Sequence, residues 1–491
     1  MNTEIATNLL GLKDPSLLSE TFNADSSQAN VFRVFNPVNN EPIAALPDMN
    51  VKEAEQVIDA ATEAFLSWKS TTVDERSKLL RKWANLMREN VEDLSRIMTI
   101  EQGKPLAESK GEINYSASFL DWYAEEVQRE VGRMMPAHTT HQRLMVTHQP
   151  LGVGAIITPW NFPTLMIMRE VAPALASGCT VLVKPSELTP LSAVALKKLA
   201  DLAGIPPGVF SLITTSKEGT PAIGELFTSS PKIHKLSFTG STKIGKLLAK
   251  AGATTLTRLS LELGGNAPFI VFEDAHIEDA LDGLISSKFR NGGQACVATN
   301  RIYIQDSIYD QFIEKLTNRV KSLRVGNGLD EGTSIGPLIS EQAVKNLEGY
   351  VADALAKGGK LIIGGAKDDK GDCFFQPTII TDATHDMLPC QCEIFGPLAM
   401  VSSFRTEEEV LEKANDTIHG LAAYFYSNDR ARCWRMAEGL DAGIIGENTV
   451  AFSSARTPFG GFKQSGIGRD GGIEGLREWQ EVKYRCIGGL G

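Results

Sequence analysis

The chain has 491 residues, of which 42% are hydrophobic and 22% are charged, and its formal net charge is −11. One hydrophobic core does not serve a chain of this length, so we expect a globular α/β protein with two or three domains. The acidic balance argues against a nucleic-acid partner, because binding a phosphate backbone requires a basic surface.

The first segment, residues 1 to about 50, contains turn signals that separate short extended stretches. It begins Met1-Asn-Thr-Glu-Ile-Ala, which has neither the basic and apolar regions of a secretory signal nor the arginine content of a transit peptide. No run of about 18 apolar residues is present to span a bilayer. The sequence therefore predicts a cytoplasmic protein without a membrane partner.

Two kinds of segment follow. Apolar residues three and four positions apart predict amphipathic helices from Val51 to about Val127. Residues 131–151 predict an extended hairpin, which could belong to a core or could reach a neighbouring subunit through edge pairing. The prolines and polar residues that flank its apolar runs favour the interface.

Strands and helices alternate from about residue 153 onward. Five apolar strands and four intervening helices within 153–262 predict a doubly wound parallel sheet of the α/β class. Alternation resumes at Ala267 and continues to about residue 465, which predicts a second α/β domain.

Polar turns follow the predicted strands, at the edge where doubly wound sheets bind ligands. Asn161 lies in the proline-flanked turn Thr158-Pro-Trp-Asn-Phe-Pro, which suits a rigid oxyanion donor, although asparagine also simply favours turns. Lys184 and Glu187 follow the next strand, where they could bind sugar hydroxyls or form a surface ion pair.

A glycine turn, Thr239-Gly240-Ser241, opens a predicted helix whose first backbone N–H groups could bind a pyrophosphate. The turn does not match the G-x-G-x-x-G fingerprint. It also fails the P-loop pattern, because Leu247 stands where serine or threonine should follow Gly245-Lys246. An ATPase is therefore not predicted.

Cys296 follows the polar, glycine-rich turn that begins at Arg290. Glycines allow a close backbone approach, so this thiol could be an accessible nucleophile, or it could be a small buried hydrophobe. Glu262 precedes two glycines and could serve as a base, as could any glutamate near a turn. Seven scattered cysteines predict reduced thiols, and Cys390-Gln-Cys392 lacks partners at zinc-ligand spacing, so no metal site is predicted.

Seven segments stand in the order found in the aldehyde dehydrogenase superfamily, which the chain resembles over nearly its whole length. They are Thr158-Pro-Trp-Asn-Phe-Pro, Lys184-Pro-Ser-Glu, Phe238-Thr-Gly-Ser, Glu262-Leu-Gly-Gly-Asn, Gly293-Gln-Ala-Cys296, Glu393-Ile-Phe-Gly-Pro397 and Pro458-Phe-Gly-Gly461. The resemblance implies a Rossmann-like NAD(P)-binding domain, a catalytic domain and a small β oligomerisation arm that forms homodimers or homotetramers. The implied divisions, in that order, are 1–130 with 152–262, then 263–465, then 131–151 with 466–491.

The resemblance also implies a role for each site residue. Cys296 would be the nucleophile, Glu262 the general base, and Asn161 part of the oxyanion hole together with the N–H of Cys296. The implied reaction passes through a thiohemiacetal and a thioester and needs no metal. The residues implied to bind the dinucleotide are Trp160, Lys184, Ser186, Glu187, Gly240, Ser241, Glu393 and Phe395.

Arg169 and Arg290 bear on the substrate. Both could bind an anionic aldehyde, since guanidinium groups bind carboxylates bidentately, or each could pair with a nearby acid such as Glu170. The chain resembles the succinate-semialdehyde dehydrogenase branch, which implies that Ser454, or else Ser453, is a third ligand of a distal carboxylate. The segments that carry this resemblance are Arg169, Lys288-Phe-Arg-Asn291, Ser453-Ser454 and Lys483-Tyr-Arg-Cys-Ile-Gly-Gly489.

The chain departs from that branch at two positions. Ala298 stands where many members carry a second cysteine, so a disulfide switch at Cys296 is not expected. Arg456 adds a positive charge near the implied entrance, which leaves glutarate semialdehyde or a sulfonated aldehyde as alternative substrates. Glu187 favours NAD over NADP because a carboxylate repels a 2′-phosphate, although relatives with this segment use both.

Other functions stay open at this stage. A general or betaine aldehyde dehydrogenase would make both arginines structural. A cysteine hydrolase would leave Lys184 and Glu393 without a role. A binding protein without activity would be expected to lack the thiol or the base.

Overall fold

The computed structural model describes residues 11–19 and 30–490, so residues 1–10 and 20–29 of the leader predicted over residues 1 to about 50 lie outside the described residues. In chain order the elements are α1 Ser16–Ser19, β1 Val31–Phe35, β2 Pro42–Pro47, α2 Val51–Trp68, α3 Val73–Glu89, α4 Val91–Gln102, α5 Leu106–Glu126, β3 Arg133–Met135, β4 Arg143–Pro150, β5 Val153–Ile157, α6 Leu165–Ser177, β6 Thr180–Lys184, α7 Pro190–Ala203, β7 Phe210–Leu212, α8 Thr220–Ser229, β8 Lys235–Thr239, α9 Thr242–Gly252, β9 Arg258–Glu262, β10 Ala267–Val271, α10 Ile277–Phe289, β11 Thr299–Gln305, α11 Tyr309–Lys321, α12 Glu341–Ala356, β12 Lys360–Ile363, β13 Thr378–Thr381, α13 Leu388–Gln391, β14 Leu398–Phe404, α14 Glu407–Asn415, β15 His419–Gly420, β16 Ala422–Tyr426, α15 Arg430–Gly439, β17 Ile444–Glu447, β18 Phe462–Lys463, β19 Gly466–Ile467, α16 Gly472–Arg477 and β20 Gln480–Ile487.

The first large sheet has the strand order β19-β9-β8-β5-β6-β7. Its five longer strands are parallel, and only β19 runs antiparallel to its neighbour β9. Side chains of β5 alternate between two cores: Ile156 packs with residues of α6 and α7, whereas Ala155 and Ile157 pack with residues of α2 and α8. Helices therefore cover both faces, which confirms the doubly wound class predicted from the alternation.

The second large sheet has the strand order β12-β13-β14-β11-β10-β16-β17. All its pairs are parallel except the edge pair β12 and β13. β10 is buried along its whole length, as is β16, which explains why both appear in the sequence as unbroken apolar runs. No described helix has both the length and the apolar content needed to cross a membrane.

A three-stranded antiparallel sheet, β20-β4-β3, forms the arm expected from residues 131–151. The C-terminal contribution to the arm is shorter than the sequence division suggested. The division placed residues 466–491 in the arm, but β19 pairs with β9 and the arm strand begins only at Gln480. Gly466 makes the β19 pairing possible, because a Cβ there would lie 2.2 Å from the carbonyl oxygen of Leu261.

Trp479 joins the arm to the first large sheet. Its ring is buried against Gly154, the second residue of β5, and the ammonium of Lys235 lies 4.8 Å from the ring centroid. Lys235 also donates to the carbonyl oxygen of Glu478 over 3.1 Å. The arm is therefore anchored at its base by one aromatic side chain.

We expect Gly154→Ala to destabilise this anchor. A Cβ at position 154 would lie 2.2 Å from Trp479 Cζ3, and overpacking of this kind costs ~1–3 kcal/mol. Gly224→Ala is the control, because its Cβ would make an ordinary 3.6 Å contact with Leu248 and alanine is a better helix former than glycine. Urea unfolding should show a lower midpoint for Gly154→Ala only, and equal midpoints for the two variants would contradict this account.

Candidate active site

A cavity of about 420 Å³ lies between α5, α6 and the loop that carries Cys296. Its lining is mostly apolar, with a thiol, two arginines and a few hydroxyl or carboxyl groups. The lining residues are Glu108, Gly111, Glu112, Tyr115, Phe162, Leu165, Met166, Arg169, Arg290, Cys296, Val297, Ser453 and Phe459. The sequence-predicted nucleophile and both predicted substrate arginines thus line the same cavity.

The cysteine loop has an unusual backbone. Asn291 has φ 53° and Gly292 has φ 61°, both in the left-handed region. Gly293 (φ 76°) is tightly enclosed, because a Cβ there would lie 2.2 Å from the carbonyl oxygen of Gly396. Gly265 is also tightly enclosed, because a Cβ there would lie 2.3 Å from the carbonyl oxygen of Cys296. The conspicuous glycines of the sequence therefore let three segments approach the thiol closely.

Amide side chains hold this loop against the Asn161 turn. Asn291 Nδ2 donates to the carbonyl oxygens of Asn161 (2.9 Å) and Gln294 (3.1 Å), and Asn161 Nδ2 donates to the same Gln294 oxygen (3.2 Å). Gln102, at the end of α4, donates to Asn291 Oδ1 over 3.0 Å. Sequence analysis missed Gln102, because a glutamine that ends an amphipathic helix gives no local sign of a partner so far away in the chain.

A buried ion pair supports the other side of the Asn161 turn. Lys104 Nζ donates to Glu112 Oε2 (2.5 Å) and to the carbonyl oxygen of Asn161 (2.8 Å). Glu112 Oε1 accepts from the backbone N–H groups of Thr164 and Leu165 at the start of α6. Burial lowers the pKa of Lys104, and the neighbouring Glu112 carboxylate opposes that change. Both residues were also missed from the sequence, where their region was predicted only as amphipathic helices; in the structure Lys104 lies between α4 and α5, and Glu112 lies on α5.

The thiol and the predicted base share a desolvated environment. Burial raises the pKa of Cys296 to about 12; Glu393 and Glu262 add to this effect, and Arg169 opposes it. Burial also raises the pKa of Glu262 well above its ordinary value, again with Arg169 opposing. Neither oxygen of the Glu262 carboxyl group has a hydrogen-bond partner among the described residues. Such perturbed and unsatisfied groups are typical of reactive sites.

The two arginines line the cavity in different ways. Arg169 is buried, its guanidinium carbon lies 4.0 Å from the centroid of the Phe459 ring, and its Nε and Nη1 atoms have no hydrogen-bond partner in the described part of the chain. Arg290 is exposed; its guanidinium carbon lies 5.5 Å from the centroid of the Phe162 ring, and its positive charge opposes the rise that burial causes in the pKa of Glu108. The unpartnered donors of the buried Arg169 therefore favour an anionic ligand at this wall.

The two adjacent serines both line a groove beside the cavity, but only Ser453 also lines the cavity itself. Ser453 lines the cavity, and the Tyr115 hydroxyl is within hydrogen-bonding reach of both Ser453 and Arg169. Ser454, the serine first expected to bind substrate, lines only an adjoining groove of about 830 Å³ that also includes Arg456. Its hydroxyl accepts from the backbone N–H of Arg456 over 3.2 Å. The geometry therefore favours Ser453 over Ser454 as the serine that binds substrate.

The residues expected to bind a dinucleotide lie at the carboxyl ends of the first sheet. Lys184 ends β6 with its Nζ 3.4 Å from Glu187 Oε2, and burial lowers the pKa of this lysine. The hydroxyl of Ser186 accepts from the backbone N–H of Leu188. A buried cation beside a partly exposed carboxylate suits ribose hydroxyls at this edge.

The next strand ends at the glycine turn. Ser241 caps α9, with its hydroxyl accepting from the backbone N–H of Ile244 over 3.4 Å. A Cβ at Gly240 would lie 2.5 Å from the ring of Phe238, so only glycine fits there. The free backbone N–H groups at the start of α9 are a natural position for an anion such as a pyrophosphate.

Glu393, Trp160 and Phe395 close the space between the two sheets. Glu393 Oε1 accepts from the backbone N–H of Gly265 over 3.4 Å, and burial raises the pKa of Glu393 to about 8. Trp160 and Phe395 pack edge to face with ring centroids 5.5 Å apart. The described residues contain no group of three His, Cys, Asp or Glu side chains that could hold a metal ion.

Comparison with known proteins places this site in a family. Residues 23–484 match the model of the aldehyde dehydrogenase family. The chain is 50% identical over 464 residues to the NADP(+) succinate-semialdehyde dehydrogenase of Escherichia coli (strain K12), covering 94% of this chain and 96% of the relative. It is 49% identical over 489 residues to a 3-sulfolactaldehyde dehydrogenase of Pseudomonas putida, covering 98% and 100%. It is also 49% identical over 466 residues to a glutarate-semialdehyde dehydrogenase of Pseudomonas aeruginosa, covering 95% and 96%.

Solved structures agree. The crystal structure of succinate-semialdehyde dehydrogenase from Burkholderia pseudomallei superimposes with a TM-score of 0.94 at 48% identity, covering 97% of this chain and 99% of that one. The family match spans both large sheets and the arm. The chain therefore belongs to the aldehyde dehydrogenase family and catalyses the NAD(P)-dependent oxidation of an aldehyde.

Proposed function

We propose that this enzyme oxidises a short aldehyde with a distal anionic group, and that succinate semialdehyde, oxidised to succinate, is its best substrate. The observation that carries the proposal is the position of Arg169 and Arg290 on the wall of the cavity that contains Cys296. The Arg169 donors that lack a partner among the described residues suit a carboxylate. Ser453 lies at the same end of the cavity, beside the Tyr115 side chain that also neighbours Arg169. The three relatives named above, whose names state anionic aldehydes, support the same substrate class.

We assign the chemistry to three side chains. The Cys296 thiolate adds to the aldehyde carbon, and the Asn161 amide together with the N–H of Cys296 donates to the oxyanion that forms. A bound NAD(P)+ supplies the acceptor for the hydride that leaves this carbon. Glu262 then takes a proton from water as the water oxygen adds to the thioester, and the carboxylate product leaves as the thiolate is restored.

The chain's own residues fit a dinucleotide. We assign its ribose to Lys184, Ser186 and Glu187, its pyrophosphate to the turn at Gly240 and Ser241, and the space near the thiol to Glu393, Phe395 and Trp160. The carboxylate of Glu187 at the end of β6 supports NAD as the preferred cofactor, with NADP as a weaker one.

The arm supports an assembly. Val482 and Tyr484 of β20 are 64% and 57% exposed, and Met134 of β3 is 67% exposed. Apolar side chains in such number on a thin sheet suit burial against a second copy of the chain. We propose a cytoplasmic homodimer or homotetramer held by this arm, with one NAD(P)-binding and one catalytic domain in each subunit. Sedimentation velocity measures this state directly.

The roles of the thiol and the base can be separated. We expect Cys296→Ser to abolish aldehyde oxidation. Glu262→Gln should keep the first turnover of NADH formation but slow later turnovers by ~10²–10⁴-fold, because only hydrolysis of the thioester needs the base. Stopped-flow absorbance of NADH measures both phases. Cys486→Ser, at an exposed thiol of the arm, is the control and should match the wild type; full activity of Cys296→Ser would refute the assignment.

The substrate class is tested with Arg290→Ala. Loss of a charged hydrogen bond of ~1.5–3 kcal/mol should lower kcat/KM for succinate semialdehyde at least about tenfold while leaving propanal unchanged. Initial rates of NADH formation with succinate semialdehyde, glutarate semialdehyde, 3-sulfolactaldehyde, propanal and betaine aldehyde measure the effect. Ser453→Ala and Ser454→Ala, compared in the same assay, identify the serine. If the wild type prefers propanal or betaine aldehyde, both arginines are structural and do not bind the substrate.

The cofactor preference is tested with Glu187→Gln. The wild type should prefer NAD, and the variant should shift the ratio of kcat/KM toward NADP by about fivefold, since a repulsion of ~1 kcal/mol is removed. Glu225→Gln, at an exposed position of α8, is the matched control. An unchanged ratio of kcat/KM in Glu187→Gln would show that Glu187 does not bind the 2′-hydroxyl of the cofactor ribose.

A further inference from the structure

One backbone group of the active site is held from two sides: the carbonyl oxygen of Asn161. Lys104 Nζ donates to this oxygen over 2.8 Å, and Asn291 Nδ2 donates to it over 2.9 Å. A carbonyl oxygen has two lone pairs, so both are occupied. One donor comes from the segment between α4 and α5, and the other comes from the cysteine loop. The peptide group that joins Asn161 to Phe162 is therefore fixed by two separate parts of the chain.

The side chain of Asn161 keeps one hydrogen for a ligand. Its Nδ2 donates to the carbonyl oxygen of Gln294 over 3.2 Å, and a primary amide carries two N–H bonds. No second acceptor of this nitrogen is found in the part of the chain that the structure describes. The remaining N–H is the group that the proposed function assigns to the oxyanion. Few bonds separate it from the backbone, so its direction depends on how the peptide group of Asn161 is held.

Lys104 can hold this carbonyl group because its own ammonium is fixed. The side chain is buried, and Nζ lies 2.5 Å from Glu112 Oε2 and 4.0 Å from the centroid of the Phe162 ring. Glu112 accepts in turn from the backbone N–H groups of Thr164 and Leu165. The ammonium therefore has little freedom to move, and a fixed donor restricts the acceptor that it binds.

We propose that Lys104 is a positioning residue for the oxyanion donor: it holds the Asn161 carbonyl oxygen together with Asn291 and so directs the free N–H of the Asn161 amide. The proposal rests on the role of Asn161 in the proposed function. The described residues that line the cavity do not include Lys104, so it acts through Asn161 and not on the substrate. A displacement of about 1 Å at a reacting centre can cost ~10²-fold in rate. Loss of Lys104 should therefore slow the steps in which an oxyanion forms, and only those steps.

Two reactions of Cys296 separate a step with an oxyanion from a step without one. With 4-nitrophenyl acetate, the thiolate adds to the ester carbonyl, an oxyanion forms, and nitrophenolate leaves as the thioester is made. With iodoacetamide, the thiolate displaces iodide from a saturated carbon and no oxyanion forms. The initial burst of nitrophenolate gives the acylation rate, and mass spectrometry of the peptide that contains Cys296 gives the alkylation rate. The quantity compared is the ratio of the two rates.

Lys104→Met removes the donor and keeps an unbranched side chain. It should lower the acylation rate by ~10–100-fold and leave the alkylation rate within about twofold of the wild type. Lys235→Met is the matched control, because Lys235 is also buried and binds Ser260 and Glu478 beside the arm. Its ratio should equal that of the wild type. Equal losses in the two reactions of Lys104→Met, no loss in either, or the same change of ratio in Lys235→Met overturns the proposal.

A double-mutant cycle tests whether the effect passes through Asn161. Asn161→Ala should slow acylation by ~10²–10³-fold. If it does not, Asn161 is not the oxyanion donor, and the assignment made in the proposed function fails. In the Asn161→Ala background, Lys104→Met should slow acylation by no more than about a further twofold, because no donor remains to be positioned. Full additivity of the two effects overturns the proposal.

A further variant covers the case in which Lys104→Met does not fold. Loss of the lysine leaves the buried Glu112 carboxylate unpaired, which is strongly destabilising. Lys104→Met combined with Glu112→Gln removes both charges, and the glutamine Oε1 can still accept from the start of α6. If circular dichroism shows that Lys104→Met is unfolded, this double variant decides. The same fall in the ratio of acylation to alkylation supports the proposal, and an unchanged ratio overturns it.

Discussion

A charged group taken out of water must find its partner inside the protein, and this constraint shapes the whole active site. Lys104 meets it by binding both Glu112 and the carbonyl oxygen of Asn161. Glu112 in turn accepts from the first backbone N–H groups of α6, the helix that carries Arg169. A single buried ion pair therefore sets the oxyanion turn and the substrate-facing helix relative to each other. Removal of either partner would leave the other charge unsatisfied in the interior.

The same constraint distinguishes scaffold from reacting groups. The charges that hold the site together are satisfied by protein atoms. Arg169 and Glu262, by contrast, keep buried polar atoms without protein partners, and both bear on the thiol of Cys296. Buried polar groups in folded proteins usually have partners, so the unpartnered atoms of these two charged groups beside the thiol indicate where substrate and water bind. The apolar lining around these groups strengthens every charge interaction within the cavity.

Much of this arrangement could be predicted from the sequence because its requirements are local. The parallel strands follow from their apolar runs, and the thiol, the carboxylate and the glycine turns lie within short recognisable segments. Gln102 and Lys104 could not be found this way, since the partner of Gln102 lies 189 positions away and that of Lys104 lies 57 positions away. Their signal exists only after the helices pack.

The sequence also could not show which of two neighbouring serines lines the cavity. Ser453 and Ser454 are adjacent, yet only Ser453 lines the cavity with Cys296, whereas both line the adjoining groove and the Ser454 hydroxyl accepts from the backbone N–H of Arg456. Spacing cannot resolve such a difference where no regular helix or strand fixes the direction of the side chains. The division at residue 466 failed to anticipate β19 for a related reason: a two-residue strand leaves no periodicity to detect.

The antiparallel pairing of β19 with β9 also determines how late in synthesis the active site can form. Glu262 and its strand are synthesised about 200 residues before β19, which pairs with that strand. Two further residues are synthesised equally late: Phe459, which lies against Arg169, and Trp479, which anchors the arm. The site is therefore complete only after these later segments have been synthesised and have packed against the first sheet.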